Sequence, residues 1–145
     1  MTSRPAVGTL RIERVFPATA DRVFRAWTDP VMAARWLSPV GHAEVVADVR
    51  PGGTFSIVMV GDGRRIEHTG EYLDVEPPRL LRFTWRSPYT GPEPSVVTVE
   101  LFAVPEGVRL VLTHSSLPDE AVASHEGGWG SMLERLSSVL TRDRA

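Results

Sequence analysis

Apolar and polar residues alternate with a period of two through most of the stretch between Gly41 and Ser115, and recur at helical spacing on either side of it. The alternation begins near the N-terminus. Val7 to Phe16 is rich in β-branched residues and predicts a first strand, with Leu10 and Ile12 inward and Arg11 and Glu13 outward. Pro17-Ala18-Thr19 breaks it. Asp21 to Thr28 then sets Val23, Phe24 and Trp27 on one helical face. Asp29-Pro30 opens a second short helix, Val31 to Trp36, since proline is well tolerated at a first helical position. Leu37-Ser38-Pro39 ends it.

Six strands follow. They are predicted over Ala43–Val49, Thr54–Val60, Arg65–Val75, Arg79–Arg86, Ser95–Val104 and Val108–Ser115. Turn chemistry separates them: Pro51-Gly52-Gly53, Gly61-Asp62-Gly63, Glu76-Pro77-Pro78, the Ser87–Pro94 loop and Pro105-Glu106-Gly107. Arg79–Arg86 alternates cleanly, with Leu81, Phe83 and Trp85 on one face and Arg82, Thr84 and Arg86 on the other. Gly70, inside a strand, marks a bulge or a close approach. Short turns and the lack of any strand–helix–strand repeat favour an antiparallel meander.

Pro118 to Leu140 predicts one long helix whose apolar stripe needs a partner layer. The fold class is therefore α+β, a bent antiparallel sheet wrapped around a long C-terminal helix. Phe24, Trp27, Leu81, Phe83, Leu101, Leu112, Leu133 and Leu136 share the inward periodicities and form the expected core. Gly127, Gly128 and Gly130 interrupt the helix, each at a cost of about 1 kcal/mol relative to alanine. Three accounts are open: close approach of the helix to a strand, a kink that opens a pocket, or an irregular lid with the helix proper starting near Trp129.

Composition narrows the chemistry. A chain of 145 residues has the length of a single domain, placed at 7–141. It contains no cysteine and no lysine, so thiolate nucleophiles, cysteine-bound metals and Schiff-base chemistry are excluded. The net charge of −2, without a dense basic run, argues against a nucleic-acid partner. No stretch approaches 18 apolar residues and no leader pattern is visible, so no membrane association and a cytoplasmic location are expected. The edges of an open sheet need protection, and a homodimer is one way of providing it.

The candidate site lies between sheet and helix, as a cavity lined by residues drawn from Phe55, Ile57, Met59, Leu81, Phe83, Trp85, Trp129, Met132 and Leu133. A concave apolar pocket is the default ligand site in such a protein. Trp27 and Trp36 read as packing residues, Trp85 and Trp129 as pocket residues. The glycines around Trp129 would leave its ring room to reorient. His68, His114 and His125 could converge on the same wall, with His42 outside the group. No HxH or HxxxH spacing is present, so no metal site is expected. His125, one turn before Trp129, is the candidate polar contact or general base. No cofactor motif occurs.

The segments VFPATADRVFRAWTDPVMAARW, DVRPGGTFSIVM, GEYLDVEPPRLLRFTW and HEGGWGSMLERLSSVL occur in this order and span most of Val7 to Leu140. In this the chain resembles the bacterial relatives of the C-terminal domain of the activator of heat-shock protein 90 ATPase. These belong to the START and birch-pollen-allergen-like superfamily. The resemblance implies the helix-grip fold and a small apolar or amphipathic ligand held between sheet and helix. It also admits a cyclase- or hydrolase-like enzyme using the same cavity, or a chaperone-associated interaction module. It carries no catalytic signature onto particular residues here.

Overall fold

The structure is a computed structural model and describes residues 8–142. The predicted start of the first strand at Val7, and with it the first residue of the expected domain, lies outside the described residues. Strand β1 runs Leu10–Phe16, with Leu10, Ile12 and Phe16 buried and Arg11 and Glu13 exposed. Helix α1 (Ala20–Thr28) is capped by Thr19, whose hydroxyl accepts from the Arg22 N–H at 3.2 Å. Asp29 caps α2 by accepting from the Val31 N–H at 2.9 Å. That helix spans only Pro30–Ala33, shorter than the predicted Val31–Trp36. The chain turns before Trp36 because the indole is drawn inward, where its Nε1–H donates to the Ala26 carbonyl at 2.9 Å.

The remaining strands are β2 (His42–Ala47), β3 (Thr54–Gly61), β4 (Arg64–Glu76), β5 (Leu80–Trp85), β6 (Ser95–Val104) and β7 (Gly107–Ser115). All pairings are antiparallel, in the order β1-β7-β6-β5-β4-β3-β2. The last six form the predicted meander, and β1 closes on β7, with Ile12 opposite Leu112. A register shift between Tyr72 and Asp74 breaks the β4–β5 ladder. Gly70 lies just before it. A Cβ there would collide with the Thr84 carbonyl and come within 2.5 Å of the Phe55 ring, so Gly70 is a close-approach position.

A short 3-10 turn (Asp119–Ala121) leads into α3, Val122–Arg142, which packs against the sheet. Its buried residues Trp129, Met132, Leu133, Leu136, Val139 and Leu140 form one helical stripe. Every expected core residue is buried, including Phe24, Phe83, Leu101 and Leu112. The C-terminal half of α3 is tied down by polar contacts as well. Arg135 donates to the carbonyls of Ser38 and Gly41 at 2.6 and 2.7 Å. Arg22 donates to the Leu140 carbonyl at 2.7 Å, placing a cation at the negative end of the helix dipole. The N-terminal half carries the three glycines and borders the cavity described below.

Candidate functional site

The site grows from the end of β5. Alternation along that strand sends Trp85 inward, and the helical stripe of α3 brings Trp129 over it, with ring centroids 5.2 Å apart. Trp27 packs on the other side of Trp129 at 5.7 Å and against Trp36 at 4.6 Å. Next to this aromatic cluster lies a cavity of about 350 Å³. Its walls come from the hairpin ends of β3 and β4 (Met59, Arg64, Ile66, His68), from Trp85, from the loops at Pro39 and Tyr89, and from α3 (Ser124, His125, Gly128, Trp129, Met132).

Of the residues expected to line the cavity, the structure brings Met59, Trp85, His125, Trp129 and Met132 together. Phe55, Ile57, Leu81 and Phe83 sit deeper. With Trp27, Leu37, Tyr72 and Trp85 they surround a void of only about 20 Å³, where the layers are filled by side chains. Leu133 faces neither space. Ile66, Arg64, Pro39 and Tyr89 are lining residues that sequence reasoning missed. Ile66 follows the alternation of β4 and could have been found from it; Pro39 and Tyr89 sit on loops, whose course periodicity does not encode.

Helix α3 is continuous through its glycines, so the irregular-lid account does not hold. Close approach does not hold either. A Cβ at Gly127 or Gly128 would meet nothing within 4 Å, and one at Gly130 would meet only the Arg14 guanidinium at 3.9 Å. At Gly128 the missing side chain leaves open space on the cavity wall.

The three histidines do gather around this aromatic group, in different states. His114 is fully buried, and its ring centroid lies 5.2 Å from that of His125 and 6.2 Å from that of Trp85. An indole N–H can only donate. Trp129 Nε1–H therefore donates to His114 Nδ1 at 3.0 Å, and the imidazole proton must sit on Nε2. His114 Nε2–H in turn donates to Ser95 Oγ at 2.7 Å, and the Ser95 hydroxyl donates to the Trp85 carbonyl at 2.8 Å. Burial, with a smaller contribution from nearby His125, pushes the His114 pKa down to about 3. Trp129 is thus held by a hydrogen bond and by two tryptophans, and the expected freedom of its ring is not found.

Ser95 and His114 have the separation of a nucleophile and its base, but the polarity is reversed. A catalytic histidine takes the serine proton on one nitrogen and donates from the other to an orienting acceptor. Here the histidine donates to the serine, and its other nitrogen accepts. Both residues are fully enclosed. The pair is a structural clamp between α3 and the sheet.

His68 Nδ1–H donates to the Ile66 carbonyl at 3.2 Å. Burial pushes its pKa down to about 4, against the opposing pull of the Ile57 and Ile66 carbonyls. His125 Nδ1–H donates to the Ala121 carbonyl at 2.8 Å, which orients the ring and leaves the Nε2 lone pair unengaged among the described residues. Among those residues no group of three or more His, Asp or Glu is placed to hold a metal ion. The polar strand residues Arg14 and Glu71 are exposed, and Arg14 donates to the Glu13 carbonyl. No helix of the described residues is long and apolar enough to cross a membrane.

A family model described as Activator of Hsp90 ATPase homolog 1-like protein matches residues 17–141. Solved structures agree with it. A protein from Rhodobacter sphaeroides is similar at 25% identity and a TM-score of 0.82, covering 96% of this chain and 97% of its own. A Silicibacter pomeroyi protein that carries the same family label is 29% identical, with a TM-score of 0.77 over 94% of this chain and 99% of its own. A Chromobacterium violaceum protein is 27% identical, with a TM-score of 0.80 over 92% and 97%. A comparison with curated proteins finds no match.

Proposed function

The chain belongs to the Activator of Hsp90 ATPase homolog 1-like family, and from that premise we propose that it binds a small amphipathic molecule in the cavity between the β3–β4 hairpin and the N-terminal half of α3. The observation that carries this reading is Gly128. A helix residue costing about 1 kcal/mol against alanine, with no packing neighbour to require it, borders the open space. The cavity combines an apolar wall (Met59, Ile66, Trp85, Trp129, Met132) with a few polar groups, the usual composition of a ligand site. His125 supplies an acceptor at Nε2. Catalysis is not part of the proposal, because the Ser95–His114 pair that resembles a hydrolase dyad has the wrong hydrogen-bond polarity and no access.

The test is a titration with the neutral fluorophore N-phenyl-1-naphthylamine. Saturable one-to-one binding with quenching of tryptophan emission is expected, because Trp85 and Trp129 form the wall. An absence of saturable binding would remove the reading. A second reading, an interaction module acting on a chaperone partner, is favoured by the family match itself. Its test is stimulation of a heat-shock protein 90 ATPase by the purified chain. Stimulation unaffected by filling the cavity would make that reading the leading one.

A further inference from the structure

The cavity has one cationic group at its mouth, and its partners are informative. Most described arginines are already engaged. Arg11 and Arg109 pair with Glu13, Arg50 with Asp48, Arg65 with Glu44, Arg79 with Glu76 and Arg82 with Asp74. Arg22 and Arg135 are bound to backbone carbonyls. Arg64 has no ion pair among the described residues, although Asp62 stands two residues away on the same hairpin and Arg65 next to it is doubly hydrogen-bonded to Glu44. Arg64 also lies where two hollows meet. It lines the cavity beside Trp129 and a smaller one of about 160 Å³, and the two share Pro39, Met59 and Ile66.

We infer that the ligand of this cavity is an amphipathic monocarboxylate whose head pairs with Arg64 and whose apolar body lies along Met59, Ile66 and Met132 toward Trp129. This rests on the small-molecule reading above. A guanidinium presents a planar fork that matches a carboxylate in a bidentate pair. One such cation compensates one negative charge, which suits a monocarboxylate better than a phosphate dianion. The cavity volume is at the low end of the range of ligand sites, about 300–1,000 Å³, so the body is a one- or two-ring system or a short chain. His125 Nε2, a lone-pair acceptor on the α3 wall, adds a place for a hydroxyl or N–H of the same molecule.

The experiment compares 2-naphthoate with its uncharged isostere 2-naphthamide by calorimetric titration at low salt, in the wild-type chain and in Arg64→Gln. The expected result is naphthoate binding about two- to fivefold tighter than naphthamide in the wild type, as for an ion pair near the surface. Arg64→Gln, on an exposed hairpin position, should bring naphthoate and naphthamide to equal affinity within the same variant. Equal binding of the two probes by the wild type would overturn the carboxylate inference while the cavity reading stands. A preference that survives in Arg64→Gln would overturn it too, by placing the anion elsewhere. Binding of neither probe would overturn the cavity reading and this inference together.

Discussion

The indole N–H of Trp129 on α3 donates to Nδ1 of His114 on β7 at 3.0 Å, inside a layer where both residues are almost completely buried. The bond determines the tautomer of His114, and through Ser95 it continues to the backbone of Trp85. Helix, β7, β6 and β5 are thereby joined by one run of hydrogen bonds beside the cavity. Each donor in that run has a single acceptor, so removing any member leaves a buried group unpaired.

Replacing His114 by leucine should destabilise the protein by about 1–3 kcal/mol beyond the change in packing, because the Trp129 N–H loses its acceptor. The double variant His114→Leu with Trp129→Phe should recover part of that loss. Urea denaturation of the four proteins in the cycle measures it. Strict additivity of the two substitutions would show that the hydrogen bond contributes nothing to stability.

Stability should fall as the solution is acidified below neutrality. His114 and His68 have folded-state pKa values of about 3 and about 4, below the ordinary histidine value of 6.5. The unfolded chain therefore takes up protons first. The contribution of each ring is complete above about pH 6.5 and is lost progressively down to the folded-state value, by up to about 1.4 kcal/mol per pH unit. Unfolding midpoints at pH 7.5, 6 and 5 check this, and His114→Gln should make the dependence shallower. A midpoint that is flat from pH 7.5 to 5 would contradict the buried neutral state of both rings.

Filling the cavity from the helix should separate stability from binding. Gly128→Leu places a side chain in open space, so the helix should gain about 0.5–1 kcal/mol of propensity while N-phenyl-1-naphthylamine binding is lost. Gly127→Ala, on the exposed side, should give a similar gain and keep the binding. Thermal unfolding with and without the fluorophore reads both effects. Undiminished binding by Gly128→Leu would place the probe outside this cavity.

Phe83→Ala should cost about 3–5 kcal/mol. The ring is 4% exposed and meets Phe55 edge-on at 5.3 Å, with Trp27, Tyr72 and Trp85 each within 6.3 Å. Its position around a void of only about 20 Å³ means that little collapse is available to offset the loss. A denaturation loss under about 1 kcal/mol would show that this part of the interior is loosely packed.

Periodicity alone determined which face of each element turns inward. A period of two on β5 and a helical stripe on α3 follow from backbone geometry, and Leu81, Phe83, Leu133 and Leu136 are buried as those periods require. Turn residues likewise determined the meander, because Gly and Pro act through local backbone angles. What lies between the layers was decided only by tertiary structure. Whether a space is filled depends on the summed volumes of side chains from several elements, so Phe55, Ile57, Leu81 and Phe83 close the deep interior while Met59, Trp85, Trp129 and Met132 border an opening. The pairing of polar atoms is equally non-local. His114, His68 and His125 are alike in sequence, yet Trp129, the Ile66 carbonyl and the Ala121 carbonyl set three different states for them. A hydrogen bond is directional over about 3 Å, and no periodicity along the chain specifies which atoms a fold will bring to that distance.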